Sequence, residues 1–181
     1  NKLGLLLGAE VAMEKKGLTV ELTDKKPIKE NYITLRLGNV SAPTNQSEAY
    51  HLEISANKIV LTANAPQGMY SGVQTLLQLM RDAVFVDATE ITDWPAFTWR
   101  GFMVDVGRNY QSMKLLKQQI DAMAAYKLNV FHFHPTEDIA WRLQSKLYPQ
   151  LTDPEFMLRD KGEYYTENDI KELINYCKER Y

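Results

Sequence analysis

Two short, nearly continuous apolar runs, separated by an amphipathic helix pattern, constrain the second half of this sequence most strongly. The runs are Gly101–Val106 and Asn129–His134. Between them a helix pattern extends from Ser112, a favoured N-cap residue type, to Lys127. One face of that helix carries Leu116, Ile120 and Met123. Strand, helix and strand in this order predict parallel strands, and both a doubly wound sheet and the opening of a barrel fit the pattern.

A further helix and the chain length limit the choice. Thr166–Asp169 has the composition of a capping box, and the helix it begins is expected to end near Arg180. The chain has 181 residues, whereas a complete (β/α)8 barrel typically needs about 250. A whole barrel is therefore excluded.

The first half predicts a small sheet covered by helices. Four runs alternate apolar and polar residues, as half-buried strands do: Leu18–Leu22, Ile33–Leu37, Tyr50–Ser55 and Ile59–Ala63. Their short spacing favours antiparallel pairing, with a hairpin at residues 55–58. Helix patterns over Leu3–Lys16 and Gly68–Arg81 accompany them, and the second is expected to cover the dry face of the sheet. Pro95 marks a boundary, which gives predicted domains at 1–93 and 94–181.

Charge, cysteine content and hydropathy exclude several classes of protein. Lys and Arg number 21 against 23 Asp and Glu, so the basic surface of a nucleic-acid-binding protein is not expected. Cys177 is the single cysteine, which excludes an internal disulfide and a cysteine zinc site. The apolar stretch Leu3–Met13 is too short to span a membrane. Since the chain starts at Asn1 without a secretory signal, we expect a processed or excised piece.

Reactive side chains cluster where the two apolar strands end. The first strand leads into Arg108, and the second leads into His132, His134, Glu137 and Asp138. In parallel α/β folds the chemistry lies at the carboxyl ends of the strands, so this cluster is the candidate site.

The residue types alone leave several interpretations open. The two histidines, on one side of a strand, are either interior hydrogen-bonding groups or ligands of a divalent metal. The adjacent carboxylates Glu137 and Asp138 either divide acid and base roles or lie on a loop surface. The planar fork of Arg108 suits a protein carboxylate or sugar hydroxyls, and Trp141 either packs in a wall or stacks on a sugar.

These residues resemble a known family. Trp99–Tyr110 resembles the first barrel strand of the family 20 glycoside hydrolases, the β-N-acetylhexosaminidases, and Tyr126–His134 resembles their second strand. Further similar segments are Trp141-Arg142, Tyr148–Thr152, Tyr164–Ile170 and, in the domain preceding the barrel, Gly68–Leu79. The resemblance implies a small antiparallel-sheet α/β accessory domain followed by the first βα units of an incomplete TIM barrel.

The resemblance also implies an activity. Such enzymes remove terminal β-linked N-acetylglucosamine or N-acetylgalactosamine from glycans with retention, and the 2-acetamido oxygen of the substrate itself attacks the anomeric carbon. An Asp orients the acetamido group and the following Glu is the acid and base. No metal or organic cofactor is implied, and the implied partners are β-linked N-acetylhexosamine glycans, not nucleic acid or membrane. The family's compartments are secreted, periplasmic or lysosomal.

The resemblance transfers roles residue by residue. Arg108 matches the arginine that binds sugar hydroxyls at the non-reducing end, while His134, Glu137 and Asp138 match positions that support the active site. The catalytic Asp-Glu pair is expected after Tyr181, so the chain alone is expected to be inactive. Two βα units also leave strand edges without partners, which predicts self-association, or a disordered or rearranged second half.

The sequence departs from the family pattern at three positions. The family usually has Leu, Asp and Gly where this chain has Pro135, Glu137 and Ala140. These departures leave open a non-catalytic carbohydrate-binding remnant of the family. The two histidines leave open a metal-dependent barrel hydrolase that uses His132 and His134.

Overall fold

The computed structural model describes residues 19–22, 32–81 and 86–180. The chain divides into two compact units after Thr98. The helix predicted over Leu3–Lys16 lies outside the described residues. Among the residues described, no helix is long and apolar enough to cross a bilayer.

The first unit is a five-stranded sheet with one described α-helix and a 3-10 turn at Gln46–Glu48. Its elements are β1 (Thr19–Leu22), β2 (Tyr32–Leu37), β3 (Tyr50–Ser55), β4 (Lys58–Ala63), α1 (Pro66–Met80) and β5 (Thr89–Asp93). The strand order is β1-β2-β4-β3-β5. The hairpin predicted at residues 55–58 joins β3 to β4, with Ser55 opposite Lys58.

The predicted antiparallel pairing holds for part of this sheet only, because the sheet is mixed. β4 pairs antiparallel with β3, and β3 pairs antiparallel with β5. β1 and β2 pair in parallel, and so do β2 and β4. The physical reason is the connection over residues 38–49, which carries the chain past one strand position. The β3–β4 hairpin then folds β4 back into the gap beside β2, and two reversals of direction make β4 parallel to β2.

The apolar residues of the alternating strands form the core of the first unit. Tyr50, Leu52 and Ile54 are all buried on one face of β3, as period two requires. Helix α1 covers this face with Val73 and Leu76. Gly72 permits the close approach, because a Cβ atom there would collide with the side chain of Leu61.

The second unit consists of two parallel strands and two helices. Its elements are β6 (Gly101–Asp105), α2 (Met113–Ala125), β7 (Val130–His134) and α3 (Glu167–Lys178), with 3-10 turns at Pro149–Thr152 and Pro154–Phe156. The predicted caps are present. Ser112 Oγ accepts from Leu115 N at 3.3 Å, and Thr166 forms a capping box with Asp169. The predicted fold class, a small sheet unit followed by the first βα units, is confirmed.

The register of β6 and β7 decides which side chains share a face. Directly paired residues point to the same side of a sheet. Val104 lies opposite Phe133, and this face packs on Leu116 and Ile120 of α2. The other face carries Met103 opposite His132 and Asp105 opposite His134. The polar face therefore leads directly into the loops that follow the two strands.

Candidate active site

The site begins where the backbones of β6 and β7 are joined at their carboxyl ends. The N–H groups of Val106 and Gly107 both donate to the carbonyl oxygen of His134, at 3.0 and 3.1 Å. This shared acceptor fixes the start of the Arg108 loop relative to β7. Residues on the two loops are therefore held within contact distance of each other.

Arg108 is held first by Asp105, three residues earlier in the chain. The backbone N–H of Arg108 donates to Asp105 Oδ1 at 3.0 Å, and its Nη1 atom binds Oδ2. The backbone hydrogen bond and the guanidinium together lower the pKa of Asp105 below its usual value. The hydrogen bond that the guanidinium donates to Asp105 raises the pKa of Arg108 in turn. Both groups are therefore charged at neutral pH.

Glu137 supplies a second carboxylate to the same nitrogen. Its Oε1 atom lies 2.9 Å from Arg108 Nη1. A turn in which Glu137 N donates to Ala140 O at 3.0 Å holds the residue in place. The side chains of Asp105 and Glu137 are 18% and 20% exposed, whereas that of Arg108 is 51% exposed. The guanidinium therefore has its anionic partners behind it and an open side towards solvent.

His134 lies between the two carboxylates. Its Nδ1 atom is 3.6 Å from Asp105 Oδ1, and its Nε2 atom is 3.8 Å from Glu137 Oε1. Nδ1 is buried and has no hydrogen-bond partner among the described residues. The imidazole thus contacts both groups that hold Arg108.

Three other residues singled out in the sequence lie near this site but outside the ion pair. Asp138 is exposed, and its charge acts on Arg108 through space. His132 is exposed, with its ring centroid 6.3 Å from that of His134. Trp141 donates Nε1–H to Leu143 O at 2.8 Å and is 39% exposed. Its indole nitrogen is satisfied internally while part of the ring faces solvent.

The described residues contain one group that could approach a metal ion. Asp105, His134 and Glu137 offer ligand atoms within 4.8 Å of one another. Arg108 Nη1 already binds both carboxylates, so a metal cation would compete with a resident positive charge. His132 does not belong to the group. The arrangement fits an ion-paired arginine better than the histidine metal site considered from the sequence.

Arg108 and Glu137 are marked as site residues by the sequence, whereas Asp105, Gly107 and Arg142 emerge only from the structure. Asp105 was the only charged residue within an apolar strand, and that was the available signal. Gly107 is buried and leaves room for Glu137. Arg142 is completely buried, which nothing in its neighbourhood in the sequence indicates.

Family comparisons match nearly the whole chain. The sequence model "Glycosyl hydrolase family 20, domain 2" matches residues 6–94, and "Glycosyl hydrolase family 20, catalytic domain" matches residues 97–181. A beta-hexosaminidase of Porphyromonas gingivalis is 36% identical over 152 residues, which are 75% of this chain and 19% of that protein. One from Vibrio furnissii is 37% identical over 155 residues, which are 76% of this chain and 25% of that protein. The chain thus spans about a fifth to a quarter of their length.

Solved structures agree with the sequence comparisons. The beta-N-acetylhexosaminidase of Bacteroides fragilis superposes with a TM-score of 0.72 at 32% identity, over 82% of this chain and 31% of that one. A family 20 exo beta-N-acetylglucosaminidase of Vibrio harveyi, solved in complex with N-acetylglucosamine, superposes with a TM-score of 0.71 at 31% identity. That match covers 82% of this chain and 26% of the other.

Proposed function

This chain belongs to glycosyl hydrolase family 20, and from that premise we propose that the protein carrying it removes terminal β-linked N-acetylglucosamine or N-acetylgalactosamine from glycans. The reaction proceeds with retention, and the substrate's own acetamido oxygen attacks the anomeric carbon. A solved relative that holds N-acetylglucosamine supports this substrate class. We expect the catalytic Asp-Glu pair in the part of the family's length that this chain does not cover. We assign 1–93 to the accessory domain and 94–181 to the start of the barrel.

The proposal rests mainly on the partial exposure of Arg108 and on its two carboxylate partners. Its guanidinium is half-exposed at the carboxyl ends of two parallel strands, and two carboxylates hold it through one nitrogen. No described residue accepts from Nε or Nη2, so these donors are available to a ligand. A planar fork that is always charged suits a pair of neighbouring sugar hydroxyls.

Such a contact contributes to catalysis although it lies away from the bond that breaks. Binding energy from the far side of a substrate holds the reacting atoms in place. Arg108 would bind hydroxyls at the non-reducing end and fix the sugar ring relative to the catalytic pair. Glu137, His134 and Asp138 would keep Arg108 charged and in position.

The three departures from the family pattern are accommodated by the surrounding residues. Glu137 is one methylene longer than Asp and still reaches Arg108 at 2.9 Å. Ala140 is buried and accepts the hydrogen bond that closes the Glu137 turn. Pro135 accepts from Arg142 N at 2.9 Å, a bond that needs no donor from the proline. The intact ion pair supports a catalytic site over a non-catalytic remnant.

The test is hydrolysis of a chromogenic β-N-acetylglucosaminide by the full-length enzyme. Arg108→Ala should lower kcat/KM at least about tenfold, because each hydrogen bond to a charged group contributes roughly 1.5–3 kcal/mol. Glu137→Gln should raise KM, since Arg108 then has one anionic partner. Glu172→Gln is the matched control, because that carboxylate binds Lys117 between the helices.

Two outcomes would contradict the proposal. One is an unmodified protein that hydrolyses neither β-N-acetylglucosaminide nor β-N-acetylgalactosaminide; N-acetylglucosamine binding without turnover would then favour the carbohydrate-binding alternative. The other is full activity in Arg108→Ala. Metal analysis after zinc exposure tests the metal-dependent hydrolase hypothesis, and loss of activity on chelation would support it.

A further inference from the structure

Arg142 is the largest fully buried side chain of the described residues, and its exposure is 0%. Its guanidinium donates to the carbonyl oxygens of residues on two separate segments: Val106 (2.5 Å), Gly107 (3.3 Å), Arg159 (3.0 Å), Asp160 (3.2 Å) and Glu163 (2.8 Å). The carboxylate of Asp160 lies 3.4 Å from Nη2. A charge is costly to bury unless it is paired and hydrogen-bonded. Here nearly all of its hydrogen bonds go to backbone carbonyls.

The first segment that Arg142 holds is the start of the Arg108 loop. Val106 and Gly107 directly precede Arg108, and the Nε–H of Arg142 points at both carbonyls. The backbone N–H of Arg142 also donates to Pro135, at the start of the β7 loop. Arg142 therefore connects the two loops that bring Arg108 and Glu137 together.

The second segment returns to the far side of Arg108. Arg159 Nη1 donates to Arg108 O at 3.3 Å and to Asn109 Oδ1 at 2.8 Å. Asp160 Oδ2 accepts from Tyr110 N at 2.9 Å. Arg142 therefore binds the two residues before Arg108 directly, and it binds Arg159 and Asp160, whose side chains hold Asn109 and Tyr110 after Arg108.

We propose that Arg142 is a positioning residue that sets the placement of the Arg108 guanidinium and thereby the binding of the sugar. The inference rests on the proposed function, in which Arg108 contacts substrate. Arg142 touches no substrate and acts only through the loops at residues 106–110 and 159–163. A planar fork is required, because a lysine ammonium cannot reach carbonyls on both segments at once.

The alternative is a purely structural role, in which loss of Arg142 destabilises the unit without a particular effect on sugar binding. The two roles differ in their coupling to Arg108. Two residues that act through one contact give non-additive effects, whereas independent residues add within roughly twofold in rate.

The experiment uses kcat/KM, KM and thermal unfolding of the full-length enzyme. Arg142→Lys should lower kcat/KM about ten- to a hundredfold, as a misplaced binding group does. The loss should lie mainly in KM, because Arg108 binds substrate before and during the reaction. Arg180→Lys is the matched control: Arg180 is also largely buried, bound to Asp121 and stacked on Tyr176, but it lies on the helix side.

A second pair of variants keeps the proposal testable if Arg142→Lys does not fold. Asp160 has a φ of 46°, which both Gly and Asn tolerate. Asp160→Gly removes the acceptor of Tyr110 N, and Asp160→Asn retains an oxygen there. We expect Asp160→Gly to raise KM and Asp160→Asn to restore most of the affinity.

A double-mutant cycle that combines Asp160→Gly with Arg108→Ala distinguishes a positioning role from a purely structural one. In that background Asp160→Gly should change kcat/KM by no more than about twofold. An equal loss in both backgrounds, or equal KM values for Asp160→Gly and Asp160→Asn, would overturn the inference. If kcat/KM falls in Arg108→Ala but not in variants of Asp160 or Arg142, this inference is wrong and the proposed function stands. An enzyme indifferent to Arg108→Ala refutes the proposed function itself.

Discussion

A Cβ atom added to Gly107 would lie 3.1 Å from both Cβ and Cγ of Glu137. Gly107 is buried, and the same added atom would lie 3.1 Å from the backbone nitrogen of Glu137. The longer acid at position 137 is therefore accommodated by the missing side chain at position 107. Both methylene groups of Glu137 lie beside this glycine, and its carboxylate binds Arg108 at 2.9 Å.

Gly107→Ala should consequently displace Glu137 and weaken its pair with Arg108. Overpacking of this kind costs about 1–3 kcal/mol of stability. In the full-length enzyme we expect a higher KM and a lower melting temperature. Gly101→Ala is the control, because the nearest atom met there, at 2.9 Å, belongs to the side chain of Trp99, which is 72% exposed. Unchanged kinetics in Gly107→Ala would show that Glu137 has room elsewhere.

The sequence predicts those parts of the fold that depend on residues close together in the chain. A helix start depends on one or two residues, and the caps predicted at Ser112 and Thr166 are both confirmed. Strand β5 was missed because Thr89–Asp93 contains one apolar residue and lies at the sheet edge, paired with β3 only. The parallel pairs were missed because pairing depends on the path of the connection over 38–49, which local residue types do not specify.

The same distinction applies to the candidate site. Arg108 and Glu137 belong to polar clusters after apolar strands, so their neighbourhood in sequence marked them. Arg142 reads as an ordinary surface residue, since its burial depends on carbonyls at residues 106–107 and 159–163. Every residue has a backbone carbonyl, so residue types do not show which carbonyls will bind Arg142 in the folded chain.

The acid side of the stability profile should depend on Glu167. Lys146 and Lys171 bind its two oxygens at 2.5 and 2.9 Å, and these bonds lower the pKa of Glu167 from 4.5 to about 2. A lowered folded-state pKa stabilises the protein above pH 4.5, and that contribution is lost as the pH falls from 4.5 to about 2. Glu167→Gln should flatten urea-unfolding stability over this window.

Salt provides the internal control for this prediction. Glu167 is half-exposed, so added salt should reduce the difference between the unmodified chain and Glu167→Gln. Glu155→Gln changes another exposed carboxylate of the same unit and should leave the profile as it was. Parallel pH profiles for the unmodified chain and Glu167→Gln would contradict the prediction.

The first unit should depend on the hydroxyl of Tyr50. Tyr50 is 1% exposed, and its hydroxyl donates to Asp93 Oδ2 at 2.7 Å and lies 2.6 Å from Thr75 Oγ1. Tyr50→Phe keeps the ring in the core and removes both hydrogen bonds. We expect a loss of about 1–3 kcal/mol in the free energy of unfolding, measured with urea. Thr92→Val is the comparison, because its bond to His51 lies at the exposed surface; an equal loss in both variants would deny the buried hydroxyl a special role.

The second unit carries an apolar surface beside strand β6 that should drive self-association of the 181-residue chain. Among the described residues, β6 and β7 pair only with each other, so each has a free edge. Beside them Phe102, Met123, Tyr126 and Leu128 line a cavity of about 240 Å³. Phe102 and Tyr126 are 46% and 73% exposed.

We expect the mass from light scattering to rise with concentration, and Phe102→Gln to reduce that rise. Leu147→Gln is the matched control, since Leu147 is 76% exposed in the loop after β7. A concentration-independent monomer mass, or equal effects of the two variants, would contradict association through this surface.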